Sequence, residues 1–540
     1  MSSILTLSDS TIINIDWEHN IVQYLSHYST LQNRLNRSVM TLYLHVYDST
    51  TDLSIYPLLT ILTINCVDHS SRPVRRLPSS ILHLTIVSTV LHPHELQFIL
   101  PLNLITFNAC NEQQLTEEHI SILPSSITSL SGIVTCEFPP NITSVHITET
   151  HEIMKFHNTL QSLRIGEEVD TTYGDTLKLP SSLTSFRITK HTYWSLSDIC
   201  IPSLTSLYFN EDISISFLCS HPNLTSLTAR MILTTEETTK KDILWPKHLT
   251  YLQLECIPIH LLPDTLTSLI LHTPPRRELN HLQDIPLLTF KSTSIMNKYV
   301  VVPSTLTSLS LLVSNDFYTT LRALTLVHLI KLHIITDTSY GEGTHFPSSS
   351  VPMLRKLTYY GHKKSISIDG SVIPRSVTNL KIAANTHFLT AYNADFSKSM
   401  LFNGDNLPPC LTILDADYVT GTISGNMFPQ SLTKLTVWRT KLKVEELPKG
   451  LLYLFARLHL YINDILPLNL RSLDIKLFED ESVCICDTPT VIPQDLTECL
   501  GLSYATLPKK IRKRLTKTLE ENNSVMDTDE LRDIQDKDIN

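Results

Sequence analysis

The sequence predicts a repeat solenoid, in which a curved parallel β-sheet of short strands is joined by irregular or short helical return segments and closed by helical end caps. One observation is a ten-residue phrase that recurs along the chain, for example LPSSLTSFRI at Leu179–Ile188 and VPSTLTSLSL at Val302–Leu311. Another is the spacing between the prolines of successive copies, mostly about 15 to 26 residues, which is a typical length for one repeat unit. Because every copy has the same structural task, the repetition favours a structural role over a catalytic one.

Each copy has a core in the order apolar-x-x-apolar-x-apolar, as at Leu160, Leu163 and Ile165. Because side chains alternate along a strand, the second and third apolar side chains point to the same face. A strand this short cannot bury that face alone, whereas copies stacked in parallel share one continuous core. We therefore expect the middle apolar residue of each copy to be fully buried. Examples are Leu269, Leu309 and Leu435.

A proline stands three or four residues before the core in most copies. Proline fixes φ and cannot donate a ladder hydrogen bond, so it belongs at a corner just outside the strand, and the short polar residues after it suit a turn. Two copies, at Ile201–Leu204 and His221–Leu224, look one residue shorter. The prolines are Pro78, Pro101, Pro124, Pro180, Pro246, Pro263, Pro303, Pro374, Pro408, Pro429, Pro448 and Pro467.

Two stretches depart from this rhythm. Residues 321–335 offer two overlapping registers for the core, and the sequence does not choose between them. Residues 386–406 are typical of a longer loop on one edge of the solenoid.

The Leu-x-x-Leu-x-Leu core resembles the leucine-rich repeat, and the resemblance covers residues 39–500. The fuller phrase Leu-Pro-x-Ser-Leu-Thr-x-Leu is most similar to the FNIP-type repeat of social amoebae and large DNA viruses. That family follows its strand with Phe-Asn-x-Pro-Ile, of which Tyr208-Phe209-Asn210 is the nearest fragment here. Since FNIP-type chains sometimes carry an F-box, the resemblance also implies an alternative function: a substrate-recognition subunit of a ubiquitin ligase, with a degenerate F-box in the first ~45 residues.

Four segments are expected along the chain. Apolar residues at helical spacing after Asp16 predict a capping helix near the N-terminus, and Pro508 opens a second amphipathic segment near the C-terminus. The final stretch is acidic and poor in apolar residues, which is typical of disorder. The segments are a capping helix region at 1–38, the repeats at 39–500, a basic capping helix at 501–519 and an acidic disordered tail at 520–540.

Composition favours a cytoplasmic protein. We expect no signal peptide and no membrane span, and the ten cysteines lack paired spacing, as reduced thiols do. Cysteines at apolar positions, such as Cys66, Cys110 and Cys256, are expected in the core. A net charge of −10 gives no reason to expect a nucleic-acid partner. The basic cluster Lys509–Lys517 leaves a nuclear location open.

No motif predicts an enzyme, a cofactor or a metal site. Gly341–Gly343 and Gly361–Ser365 lack the glycine and lysine spacing of a phosphate loop. The spacing of His151 and His157 does not put two imidazoles on one helical face, and His92–His94 has no second ligand pair. Cys484–Cys486 likewise has no partner cysteines at metal-site spacing.

The residues that can vary without disturbing the stack are the outward strand positions. Arginine and aromatic residues at such positions are typical of binding hot spots. We therefore predict a non-catalytic scaffold that binds a protein partner through this face. Two neighbourhoods are the candidate anchors. They are Arg164, Arg187, Tyr208 and Arg230 in the N-terminal half, and Asp415, Asp417, Trp438 and Arg457 in the C-terminal half.

Overall fold

The computed structural model divides the chain into two compact units, Met1–Leu254 and Glu255–Asn540, and each is taken by itself below. The structure describes residues 5–6, 11–14, 39–47, 53, 58–67, 77–87, 92–109, 114–134, 137–150, 156–169, 179–189, 200–234, 238–241, 243–273, 279–296, 302–313, 326–336, 350–361, 367–369, 373–384, 400–403, 407–416, 419–420, 422–423, 428–438, 441–442, 447–457, 467, 469–470, 472–476 and 498–500.

The first unit is a parallel β-solenoid. Its strands are β1 (Leu5–Thr6), β2 (Thr11–Asn14), β3 (Val39–Tyr47), β4 (Ile61–Val67), β5 (His83–Ile86), β6 (Thr106–Ala109), β7 (Gln114–Leu115), β8 (Ser129–Val134), β9 (Ser144–Thr150), β10 (Ser162–Val169), β11 (Ser185–Ile188), β12 (Ser206–Phe209), β13 (Ile213–Ser214), β14 (Ser226–Ala229), β15 (Ile232–Leu233) and β16 (Tyr251–Leu254). The main ladder runs β2-β3-β4-β5-β6-β8-β9-β10-β11-β12-β14-β16, and all of its described pairings are parallel. Only β1 departs, because it pairs antiparallel with β2.

The second unit repeats this design. Its strands are β17 (Ser268–Leu271), β18 (Thr289–Met296), β19 (Ser308–Val313), β20 (Lys331–Thr336), β21 (Lys356–Gly361), β22 (Ser367–Asp369), β23 (Asn379–Ala384), β24 (Met400–Asn403), β25 (Ile413–Ala416), β26 (Val419–Thr420), β27 (Thr422–Ile423), β28 (Lys434–Trp438), β29 (Lys441–Leu442), β30 (Tyr453–Arg457), β31 (Ser472–Lys476) and β32 (Glu498–Leu500). The main ladder runs β17-β18-β19-β20-β21-β23-β25-β28-β30-β31-β32, with parallel pairing throughout.

The return segments are short and mixed. Three short α-helices, α1 (Pro93–Ile99), α2 (Glu117–Ser121) and α3 (Ile215–Ser220), and the 3₁₀ turns Ile259–Leu261 and Leu279–Asp284 agree with the prediction. Hydrogen-bonded pairing between return segments was not predicted. Return strands pair in parallel as β13–β15, β22–β24–β26 and β27–β29, and β24 lies inside the stretch 386–406 that was expected to be a loop. Extended return segments of stacked copies lie side by side, so their backbones can pair as the main strands do.

The predicted core is confirmed at its middle positions. Leu269, Leu309 and Leu435 have at most 1% of their surface exposed. The strands alternate half-buried and buried residues, as in β5 and β12, because only one face of each strand meets the core.

A four-residue turn of constant length precedes most of the described main strands. Strand β18 is an exception, because the Leu287 amide donates to the Ile285 carbonyl two residues back. In a full copy the proline carbonyl accepts a hydrogen bond from the backbone amide three residues later. For example, the Leu183 amide nitrogen donates to the Pro180 carbonyl oxygen at 3.1 Å. In the copies that looked shorter, the Ile201 carbonyl accepts from Leu204 at 3.0 Å and the His221 carbonyl from Leu224 at 3.3 Å. The expected shortening was therefore wrong. The turn keeps its length and the proline moves to its second position, which its fixed φ also suits.

The same turn resolves the ambiguous stretch. The Leu326 carbonyl accepts from the amide of Leu329 at 3.1 Å, so Leu326 occupies the position that proline holds elsewhere. The core of this copy is then Leu329, Leu332 and Ile334, all buried. Leu332 pairs with the core leucines of β19 and β21, which fixes the register.

Two rows of polar side chains tie successive copies together. In the first, the residue just before the first core leucine donates to carbonyls of the preceding turn. Ser431 Oγ donates to Leu411 O at 2.7 Å, and Asn141 Nδ2 donates to Ile127 O at 2.6 Å. In the second, threonines just after that leucine donate to the preceding copy, as in Thr412 Oγ1 to Thr378 O at 3.0 Å. The serine and asparagine side chains satisfy carbonyls of the turns, whereas the Thr378 carbonyl also accepts from the backbone amides of Thr412 and Ile413.

His221 is a polar group inside the first unit. Its side chain is fully buried, and its ring stacks on Phe217 with centroids 4.0 Å apart. The Ile201 amide donates to His221 Nε2 at 3.1 Å, so the proton sits on Nδ1, which lies 2.8 Å from the Phe217 carbonyl. Burial lowers the pKa of His221 below 6.5, against a smaller opposite effect of the Phe217 carbonyl.

We expect His221→Phe to lower the free energy of unfolding by about 1–3 kcal/mol at neutral pH, because the buried Ile201 amide loses its acceptor. A histidine with a lowered folded-state pKa binds fewer protons in the folded state, so it stabilises fully above pH 6.5 and less as the pH falls towards the folded-state value. The variant should thus lose less stability on acidification than the wild type. Denaturant unfolding across this range measures both effects, and the exposed His248→Phe is the matched control. Equal acid sensitivity of the His221 variant and the wild type would contradict this role.

Most residues near the two ends of the chain are not described. The predicted capping helices after Asp16 and Pro508, the basic cluster Lys509–Lys517 and the tail 520–540 all fall on residues that the structure does not describe. Within the described residues, no helix is both long and apolar enough to cross a bilayer.

Candidate functional site

The outward face of β9 to β12 holds three of the predicted anchors. Parallel pairing places Arg164 of β10 beside Arg187 of β11, and Arg187 beside Tyr208 of β12. Residues between two buried core positions must point away from the core, and both arginines are exposed. Adjacent strands are about 4.8 Å apart, so the three side chains form one continuous row.

The Arg187 guanidinium lies over the Tyr208 ring, 4.3 Å from its centroid. Such a cation–π contact holds the arginine in place while leaving its N–H groups available. Arg164 and Arg187 are like charges on directly paired positions, an arrangement that is unfavourable in a free sheet. Among the described side chains, neither guanidinium has a carboxylate within ion-pair distance.

His146 of β9 extends the row on the other side of Arg164. Its Nδ1 lies 3.1 Å from Ser131 Oγ of β8. Burial lowers the pKa of His146, and the charges of Arg164 and Arg187 lower it further. The imidazole is therefore neutral at neutral pH, and the local potential at this face is positive.

The far end of the row is aromatic and polar. The hydroxyl of Tyr251, the first residue of β16, donates to Gln253 Oε1 at 2.9 Å. Burial raises the pKa of Tyr251 above 10.0, Thr228 lowers it through a side-chain hydrogen bond, and Tyr208 raises it. Tyr251 replaces the serine that β12 and β14 carry at this position, and it was absent from the predicted anchors. We call His146, Arg164, Arg187, Tyr208 and Tyr251 the Arg–Tyr patch.

Arg230, the fourth predicted anchor of this half, is engaged within the chain. It follows β14, and its guanidinium binds both carboxylate oxygens of Asp212, at 2.8 and 2.9 Å, with Glu211 3.5 Å away. Its backbone amide also donates to the Glu211 carbonyl. These contacts join two successive copies, which gives Arg230 a structural task.

The C-terminal candidates lie in the second unit. Asp415 of β25 is half-buried and binds Lys381 of the paired strand β23 at 2.8 Å. Trp438 and Arg457 end β28 and β30 and are in register with each other, while their side chains are not described. Asp417 lies outside the described residues.

The outward face of the second unit also carries residues that were not predicted as anchors. His333 of β20 has Nδ1 3.3 Å from Ser310 Oγ, and its ring lies 5.2 Å from that of Tyr360. Burial lowers the pKa of His333, and the charges of Lys291 and Lys356 lower it further. His333 was not predicted as an outward residue, because the sequence left the register of residues 321–335 open. Lys356 was not predicted because the candidate anchors were the residues between and just after the last two core positions, whereas Lys356 precedes the middle core residue Leu357.

No metal or thiol site is evident in the part of the chain that the structure describes. There, no group of three or more histidine, cysteine or acidic side chains could hold a metal ion. His92 and His94 stack on each other, with ring centroids 5.6 Å apart. The cysteines whose side chains the structure describes, Cys200, Cys219, Cys256 and Cys410, are exposed or half-buried. The expectation of a core position is thus wrong for Cys256, which sits just past the last core residue of its copy, and Cys66 and Cys110 have no described side chains.

Neither a family model nor a curated protein matches the sequence. Among solved structures, CroV588, a circular leucine-rich-repeat protein, is 18% identical over 92% of this chain and 70% of its own, with a TM-score of 0.41. The plant peptide hormone receptor RGFR1 in complex with RGF2 is 14% identical over 86% and 89%, with a TM-score of 0.29. Toll from Drosophila, in its complex with Spatzle, is 13% identical over 82% and 57%, with a TM-score of 0.27.

The narrower similarity to FNIP-type repeats stays a prediction. The fold class rests on the strand pairing and on the buried, repeated core. Both units are parallel β-solenoids.

Proposed function

We propose that the protein is a non-catalytic scaffold that binds a protein partner through the outward strand positions of its solenoid, with the Arg–Tyr patch as the main anchor. The observation that carries this proposal is the in-register row of Arg164, Arg187 and Tyr208. Its chemistry is that of interface hot spots, where arginine and tyrosine are enriched.

The row favours a partner that presents a carboxylate beside an apolar or aromatic group. Two paired guanidiniums repel each other in the free protein, and an incoming carboxylate removes that repulsion through charge-assisted hydrogen bonds. Tyr208 already holds Arg187 in place, so little side-chain entropy is lost on binding. Asp415, Asp417, Trp438 and Arg457 are proposed as a second, separate anchor in the second unit.

We expect the double variant Arg187→Ala/Tyr208→Ala to fold normally and to weaken partner binding by at least about 2 kcal/mol. Affinity purification with mass spectrometry identifies the partners, and titration calorimetry on the partner found gives the affinity. The control Lys247→Ala/His248→Ala changes two exposed side chains of a corner in the same unit and should bind as the wild type does.

The proposal would be overturned if Arg187→Ala/Tyr208→Ala and Asp417→Ala/Trp438→Ala both retained all the partners that the wild type binds. Attention would then move to the basic segment Lys509–Lys517. Recovery of adaptor and cullin subunits would instead support the ubiquitin-ligase alternative. In that case the repeats would select the ligase substrate.

A further inference from the structure

The second unit carries a cluster of lysines on the outward face of β18 to β23. Lys331 and Lys356 are exposed and directly paired on β20 and β21, so two like charges lie side by side. Lys291 of β18 and Lys381 of β23 flank them at the next outward position. Of these four, which we call the lysine patch, only Lys381 has an ion-pair partner among the described residues, namely Asp415.

His333 lies on β20, between the strands that carry the outer lysines of the lysine patch. It sits between Ser310 of β19 and Thr358 of β21. Burial lowers the pKa of its imidazole, and the charges of Lys291 and Lys356 lower it further. Like charges on directly paired positions destabilise the sheet, and an anionic partner would reduce the repulsion between them.

An exposed apolar corner adjoins the lysine patch. Leu288, Ile330 and Met353 are 47%, 40% and 50% exposed. Leu288 and Ile330 occupy the row that holds hydrogen-bonding threonines in other copies of this unit, such as Thr412. Their side chains cannot form the hydrogen bond to the preceding copy that threonine side chains form, although their backbone amides still donate to it. Ile330 and Met353 belong to the same copies as Lys331 and Lys356, so these two copies carry both exposed apolar and exposed basic side chains.

We propose that the lysine patch and the apolar corner bind an extended protein segment in which glutamate or aspartate alternates with apolar residues. Lys291 and Lys381 are four strand steps apart, about 19 Å, which matches about six extended residues. The apolar corner favours a peptide over nucleic acid, because a phosphate backbone has nothing apolar to place there. The net charge of −10 likewise disfavours a polyanion that contacts the protein widely.

Fluorescence anisotropy with a labelled peptide of about ten residues, alternating glutamate and leucine, tests the proposal. We expect saturable binding that weakens with added salt and is absent for the glutamine–leucine analogue. The charge reversal Lys331→Glu/Lys356→Glu should weaken binding at least about tenfold. The matched control Arg375→Glu/Lys449→Glu changes net charge equally at exposed turn positions of the same unit and should alter affinity less than about twofold.

Several results would overturn the proposal: no binding of the acidic peptide, equal losses in both charge-reversed variants, or tight binding of single-stranded RNA or anionic phosphatidylserine vesicles in place of the peptide. If the reversed variant does not fold, as judged by circular dichroism, Lys331→Gln/Lys356→Gln takes its place with the same expectation. The variant Arg187→Ala/Tyr208→Ala should bind the peptide as the wild type does. This separates the inference from the proposed role of the Arg–Tyr patch.

Discussion

Leu309→Ala is expected to lower the free energy of unfolding by about 2–5 kcal/mol. Leu309 is 1% exposed and packs in register between Phe290 of β18 and Leu332 of β20, so truncation leaves a cavity that neighbours on both sides cannot fill without moving. Leu269→Ala and Leu435→Ala should behave alike. Denaturant unfolding followed by circular dichroism measures the loss.

The matched control is Leu288→Ala, the same chemical change at a position that is 47% exposed in the same unit. It should cost well under about 1 kcal/mol. Because stability in a stack is mainly a sum over neighbours, hydrogen exchange in the Leu309 variant should rise first in β18 to β20. Equal losses in the two variants would mean that the strand faces are assigned the wrong way round.

Gly132→Ala should destabilise the protein by about 3 kcal/mol or more. Gly132 is buried in β8 with φ of +152°, a region that residues with a side chain rarely adopt. An added Cβ would lie 2.9 Å from the Ala109 carbonyl oxygen and 3.2 Å from Leu115 Cδ1. The contact with Ala109 is with backbone, so the strand itself would have to shift.

Gly450→Ala is the comparison for this change. Gly450 has no positive φ, and its added Cβ would lie 3.4 Å from the nearest atom, the Gln430 carbonyl oxygen. That variant should be within about 0.5 kcal/mol of the wild type, or slightly more stable because the unfolded chain loses freedom. Thermal unfolding of the two variants side by side decides the matter. A Gly132 variant as stable as the Gly450 variant would show that β8 adapts to a side chain.

The repeat pattern predicts the core because each copy repeats the same alternation against identical neighbours. It fails at Gly132, which stands where other copies place their third apolar residue. The reason is that a Cβ at this position would lie 2.9 Å from the Ala109 carbonyl oxygen and 3.2 Å from Leu115 Cδ1 of the return strand β7. Pairing between return segments depends on which copies run extended there, and the core motif carries no information about that.

For the candidate anchors too, the sequence predicts the positions on the repeated strands but not the contacts made by return segments. Strand periodicity places Arg164, Arg187 and Tyr208 on one face, and their register follows from the repeat alone. The engagement of Arg230 by Asp212 could not be predicted, because Asp212 lies in a return segment beyond the preceding strand. The pairing of Lys331 with Lys356 required the register of β20, which only three-dimensional stacking selects.

The polar rows at the corners give each unit a direction that affects how such a chain can change in length. In many of the described copies a serine, threonine or asparagine side chain donates to the copy before it, and the carbonyls of that copy accept from the copy after it. Loss or duplication of one whole copy therefore leaves each donor facing an acceptor of the same kind. An insertion of a few residues within a turn would break the row at that point. Gene rearrangements that add or delete complete copies should thus be far better tolerated than short insertions at the corners.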